Sequence, residues 1–143
     1  MVRKNEMTAD FEQLIYNGEM LKNSWKNQMK HFEKFASNGT VDKGVIDFIT
    51  WILTTNNSEK LFAGSSMWNL LISKPKNKKL NYQQTLKIQF DNRTSLYEME
   101  YSDWDSIDKE DDYEKAIIWK TKCIGIELPI KFLEFIKWNK NWR

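Results

Sequence analysis

Three stretches in the second half of the chain alternate apolar and polar residues at every step, and this pattern limits the fold more than any other. In Thr85 to Phe90, Leu86, Ile88 and Phe90 alternate with Lys87 and Gln89. In Leu96 to Tyr101, Tyr97, Met99 and Tyr101 alternate with Glu98 and Glu100, and in Ile117 to Cys123, Ile117, Trp119, Thr121 and Cys123 alternate with Lys120 and Lys122. Successive side chains of a strand point to opposite faces, so each stretch predicts a strand with one face buried and one in water. Asp91-Asn92-Arg93-Thr94 is a short polar link of the kind that joins antiparallel neighbours. If the second and third strands pair, Glu98 and Glu100 lie across from Lys120 and Lys122. Such cross-strand pairs contribute only about 0.2–1 kcal/mol each, but a slip of one residue would lose them and turn the apolar side chains outward.

A different period governs the N-terminal part. Phe11, Leu14, Ile15, Leu21, Trp25, Met29, Phe32, Phe35 and Ala36 recur at three- and four-residue steps, which is one stripe of a long amphipathic helix. Thr8 can cap it, with Asp10 and Glu12 in the first turn, and Asn38-Gly39 is a good stop. Asn17-Gly18 predicts a break inside it. A second helix is predicted from about Asp42 to Leu53, with Val45, Phe48, Ile49, Ile52 and Leu53 apolar and Trp51 off that stripe, free to meet another element. A strand follows over Ser66 to Ser73, then a basic turn, Lys74 to Lys79. At the far end Gly125 breaks the last strand and Pro129 suits the first turn of a closing helix. Ile130, Leu133 and Ile136 form that helix's stripe, with Phe132, Phe135, Trp138 and Trp142 beside it. The expectation is one α+β domain over residues 1–143: two N-terminal helices, an antiparallel sheet of about four strands, and a C-terminal helix packed on the sheet.

Length and composition suit one core rather than two, since 143 residues with 41% hydrophobic and 14% aromatic content can bury a sizeable interior. Cys123 and His31 are the only residues of their types, so neither an intrachain disulfide nor a thiolate zinc site can form. The N-terminal residues have no apolar core of a secretory signal, and no apolar run reaches the ~18 residues a spanning helix needs. A cytoplasmic location, no membrane partner and no cofactor are expected. No Gly-rich phosphate loop, Gly-x-Ser-x-Gly or His-Glu-x-x-His is present, and His31 has no base or nucleophile at a recognisable spacing. No catalytic residue is therefore named, and an enzyme is the least favoured class.

The electrostatic anomaly is Glu98 to Glu114, where nine acidic residues and the single Lys109 leave a charge of −8 in a chain of net +2. As a calcium loop it fails, because Asp108, Glu110 and Asp112 alternate without the turn Gly or the closing bidentate Glu. Its bland reading is a solvated loop. The alternative is recognition, because Tyr101, Trp104, Ile107 and Tyr113 are interleaved with the carboxylates. Aromatic anchors dominate binding hot spots, and a charged strip speeds encounter with a cationic cleft. The partner-binding candidates are Asp103, Trp104, Asp105, Asp108, Glu110, Asp111, Asp112 and Tyr113. Lysines 22, 26, 30 and 34, every fourth residue of the first helix, suggest the opposite partner, nucleic acid. A solvated face explains them more simply, and a pI of 8.5 falls short of duplex-binding domains.

Three stretches, Phe62-Ala63-Gly64-Ser65-Ser66-Met67-Trp68-Asn69-Leu70-Leu71-Ile72, Leu96-Tyr97-Glu98-Met99-Glu100-Tyr101 and Leu128-Pro129-Ile130-Lys131-Phe132-Leu133-Glu134-Phe135, resemble pieces of the small bacterial immunity proteins that neutralise polymorphic or contact-dependent toxins. The three stretches lie between Phe62 and Phe135 and total 25 of the 143 residues. It implies a non-enzymatic inhibitor whose partner is a cationic toxin, a nuclease among the options, with the acidic loop as the contact. Two alternatives stay open: a nucleic-acid-binding accessory protein using Lys22, Lys26, Lys30 and Lys34, and a phage-borne inhibitor of a host defence protein.

Overall fold

The computed structural model describes residues 16–108 and 112–143. Helix α1 spans Gly18–Ser37 and α2 spans Gly44–Ile52. Strands β1 (Phe62–Ser66), β2 (Asn69–Ser73), β3 (Gln84–Asp91) and β4 (Leu96–Asp103) follow. A one-turn helix α3 (Tyr113–Ala116), strand β5 (Ile117–Cys123) and helix α4 (Leu128–Trp138) complete the order. The strands form one antiparallel sheet in the order β1-β2-β3-β4-β5, so every strand lies beside its sequence neighbour. The α+β architecture and the C-terminal helix match the sequence reading.

The alternation at β3, β4 and β5 decides the faces as expected. Leu86, Ile88, Phe90, Tyr97, Met99, Tyr101 and Cys123 are buried in one core with Trp25, Phe32, Phe48, Ile49, Phe132, Phe135 and Trp142. On the opposite face Glu98 stands across from Lys122 and Glu100 across from Lys120, the register the charges favour. Glu100 also faces Lys87 of β3, and the ion pairs formed are Lys122–Glu98 at 3.4 Å and Lys87–Glu100 at 3.5 Å.

Two expectations need correction, and a third is only partly covered by the described residues. The strand predicted over Ser66–Ser73 is shorter, β2 over Asn69–Ser73, and it is the second arm of a hairpin whose first arm is not among the expected strands: β1 pairs with β2 from Phe62↔Ser73 to Ser66↔Asn69. The sheet therefore has five strands rather than about four. Its turn is carried by Met67 at φ 55°, a left-handed conformation unusual for a non-glycine residue, so no turn signal marks it. Second, α1 begins at Asn17-Gly18, where the sequence reading expects an interruption. The Asn17 side chain accepts from the Met20 N–H at 2.9 Å and caps α1. The proposed start at Thr8, with Asp10, Phe11, Glu12, Leu14 and Ile15, lies outside the described residues. Third, α4 buries Leu128, Phe132 and Phe135, whereas Ile130 and Leu133 of the expected stripe are 61% and 51% exposed. The helix is apolar around much of its girth, and the large rings take the inward positions because they fill the space over Tyr101, Trp119 and Trp142, all within 5.5 Å of the Phe135 ring. Trp51 does meet another element: its ring lies 6.2 Å from that of Phe132 on α4.

One polar node joins α2 to the sheet. The buried Tyr97 hydroxyl donates to Asp42 Oδ1 at 2.6 Å and accepts from the Val45 N–H at 3.0 Å. Burial, then the bond to Asp42, push the Tyr97 phenol far above its ordinary range. An unfolded tyrosine releases its proton near pH ~10. Above that pH the unfolded chain has lost a proton the folded chain keeps, so this contribution is complete below about pH 10 and declines as pH rises further. Tyr97→Phe is expected to cost about 1–3 kcal/mol at neutral pH, because Val45 and Asp42 lose a buried partner. It should also flatten the alkaline loss of stability. Urea titrations of both proteins at about pH 8 and about pH 11 measure both effects; parallel pH dependences would show that Tyr97 does not carry this linkage.

Candidate functional site

The acidic segment leaves the sheet at the end of β4 and is anchored there by backbone geometry. The Trp104 N–H donates to the Gln83 carbonyl at 2.9 Å, tying the loop to the residue before β3. Asp103 turns its carboxylate back on the chain: Oδ1 accepts from the Asp105 N–H at 3.0 Å and Oδ2 from Gln84 Nε2 at 3.4 Å. The Ser106 hydroxyl donates to the Asp103 carbonyl at 2.8 Å. These bonds close a 3₁₀ turn over Trp104–Ser106. Asp103 is thus a structural member of the loop, using its oxygens to satisfy local donors.

Beyond that turn two aromatic side chains of the segment meet. The Trp104 and Tyr113 rings meet at 5.2 Å with their planes inclined by 51°. They are 38% and 51% exposed, so the pair is preassembled yet open to solvent. Nine residues of sequence separate them, and the fold brings them together by returning the chain through α3 towards β5. Asp105 and Asp112 are exposed beside this pair, and neither forms an ion pair with a described residue. A cleft of about 350 Å³ is lined by Gln83, Trp104, Asp105, Ile107 and Asp108. Of the eight candidates the structure therefore gathers Trp104, Asp105, Asp108, Asp112 and Tyr113 at one corner and turns Asp103 inward. Glu110 and Asp111 lie outside the described residues.

The loop also touches the core electrostatically. Burial pushes the Tyr101 phenol up, the nearby polar groups of Asn139 and Trp142 oppose this, and the carboxylates of Asp103 and Asp105 push it up further. Glu98 and Glu100 take no part in the loop. They lie on the sheet surface in pairs with Lys122 and Lys87, which takes two of the nine acidic residues of the segment out of the loop.

The other candidates have simpler roles. His31 Nε2 lies 2.7 Å from the Met67 carbonyl, to which it donates, and its ring lies edge-on to Phe32 and Phe35. It fastens α1 to the β1–β2 turn. Cys123 is buried, and burial raises its thiol to about 11, which leaves it in the unreactive form at neutral pH. Lys26, Lys30 and Lys34 are exposed along α1, with Lys22 partly covered. Among the described residues no three metal-ligating side chains come together, and no helix is long and apolar enough to cross a membrane.

The fold and this corner define an α+β meander with a helical layer and a charged, aromatic loop at one end of its sheet. Set against known protein families, curated proteins and solved structures, the chain matches none.

Proposed function

We propose that the chain is a non-catalytic, cytoplasmic protein-binding inhibitor that engages a cationic partner through the Trp104–Tyr113 corner. The observation that carries this reading is the tilted, solvent-open ring pair flanked by Asp105 and Asp112, neither of them paired to a described residue. An aromatic pair fixed before binding offers a large contact area at little entropic cost, and exposed carboxylates beside it attract a basic surface. The resemblance to immunity proteins makes a toxin the favoured partner, with a nuclease suited to an acidic inhibitor because its phosphate-binding cleft is basic. An inhibitor of a host defence protein would use the same surface.

Capture from native lysate at low ionic strength tests this. The wild-type protein is expected to retain a basic protein that elutes as salt rises. Trp104→Ala with Tyr113→Ala should abolish retention, and Asp105→Lys with Asp112→Lys should weaken it and flatten its salt dependence, both without changing the melting temperature. Retention unaffected by either pair of substitutions would remove the corner from the binding surface. The exposed row Lys26, Lys30 and Lys34 supports the second reading. Retention of nucleic acid, lost in Lys26→Glu with Lys30→Glu, would favour it over the first.

A further inference from the structure

The two edges of the sheet are treated differently. At the β1 edge α1 supplies hydrogen-bond partners to the backbone: the Ala63 N–H donates to Ser24 Oγ at 3.0 Å, and Trp25 Nε1 donates to the Leu61 carbonyl at 2.9 Å. That edge is closed. At the other end β5 pairs with β4 on one side and, among the described residues, has no strand and no backbone hydrogen bond from another element on its other side. The seven-residue strand, whose register shifts once at Ile118, therefore has an open row of donors and acceptors among the described residues. Open edges of this kind accept an added strand through main-chain bonds, while alternate side chains set the choice of partner.

The side chains along β5 state the preference. Lys120 and Lys122 project on the solvent face of the sheet and are exposed, and Ile118, 43% exposed, precedes them on the same face. Lys122 already holds Glu98 of β4 at 3.4 Å, whereas Lys120 forms no ion pair among the described residues because Glu100 turns to Lys87. On the inner face Trp119 and Thr121 are half-buried, Trp119 at 5.1 Å from the Phe135 ring, so an added strand would find apolar surface there. A second copy is a poor occupant. Antiparallel pairing of β5 with itself across the middle of the strand sets lysine against lysine, and like charges directly opposite destabilise. The lysines occupy the half of β5 remote from the acidic corner, so an acidic strand can approach them without meeting Asp105 or Asp112.

We propose that β5 is the docking edge for an extended acidic segment of a partner protein, which adds as a sixth strand with its carboxylates opposite Lys120 and Lys122 and its apolar side chains beside Trp119. The molecule holds an example of such a segment in β4, whose sequence alternates acidic and apolar residues and which β5 pairs with on its inner side. This surface is independent of the Trp104–Tyr113 corner.

The probe is a synthetic peptide of the β4 sequence, Leu-Tyr-Glu-Met-Glu-Tyr-Ser-Asp, titrated into the intact protein, with a control in which both Glu are Lys. Backbone amide shifts and hydrogen exchange report binding along the strand. The acidic peptide is expected to shift and protect the amides of residues 117–123, and the lysine peptide to do neither. Lys120→Gln with Lys122→Gln should weaken the acidic peptide by about tenfold, two cross-strand charge pairs being lost, while preserving the melting curve. Asp105→Lys with Asp112→Lys should bind it as the wild type does, which separates this surface from the corner. Equal binding of both peptides, or no protection of β5 by either at millimolar concentration, would overturn the proposal. So would a concentration-dependent dimer in sedimentation that protects β5 unaided, since the occupant would then be a second copy.

Discussion

Trp25→Ala is expected to lower stability by about 3–5 kcal/mol, the range for truncating a fully buried large aromatic side chain. Trp25 is 0% exposed, its ring lies edge-on to Phe48 at 6.3 Å, and its N–H bonds the Leu61 carbonyl. Three losses coincide in the variant: the apolar area of the indole, the cavity left behind, and the donor that satisfies a buried carbonyl. For a chain of this size that corresponds to a fall in melting temperature of about 10 °C or more. Trp25→Phe keeps a six-membered ring in place and loses the donor with a smaller part of the packed volume, so it should cost about 1–3 kcal/mol. Thermal and urea unfolding of the two variants separate packing from hydrogen bonding. A Trp25→Ala protein within about 1 kcal/mol of wild type would mean that α1 is not part of the cooperative unit. The same substitution should expose the β1 edge that α1 closes, so aggregation after mild heating is expected to rise with it.

The second large effect is expected where two backbones touch. A methyl group at Gly44 would stand 2.5 Å from the Gly125 Cα and 2.9 Å from both Asp42 Oδ1 and Tyr97 Cε2. Neither backbone can yield without moving α2 off the segment that links β5 to α4. Gly44→Ala is therefore expected to cost about 3 kcal/mol, at the upper end of the usual cost of overpacking, and to lower the melting temperature by about 10 °C. Gly18→Ala is the control. Its methyl group would meet nothing closer than the Glu59 Cβ at 3.4 Å, and it lies in the first turn of α1, so the change should be neutral or slightly stabilising. Equal melting temperatures for the two variants would refute the close approach of α2 to the Gly125 turn.

These two positions show which parts of the fold can be read along the chain. Trp25 sits at a helical spacing with Leu21 and Phe32, so its burial follows from period alone. Gly44 carries no such mark: its partner Gly125 is far away in sequence, and only docking of α2 against the end of β5 makes both positions intolerant of a side chain. The same division runs through the candidate site. The clustering of acids with Trp104 and Tyr113 is visible in the sequence, whereas the contact between those two rings, the inward turn of Asp103 and the pairing of Glu98 and Glu100 with sheet lysines depend on where β3 and β5 lie. No local rule reaches that far.

By itself the sequence determined β3, β4 and β5, their register, the helical periods and the class of the fold, because each of those strands has one wet and one buried face and a period of two records that division directly. The tertiary structure alone decided the β1–β2 hairpin, whose turn rests on a left-handed Met67, and the inward face of α4, whose apolar residues encircle it. It alone decided that α1 closes one edge of the sheet while, among the described residues, no strand pairs with the other. The reason is common to all three: they are set by long-range packing, in which the element that buries a residue is distant in sequence and leaves no periodic trace in the segment it covers.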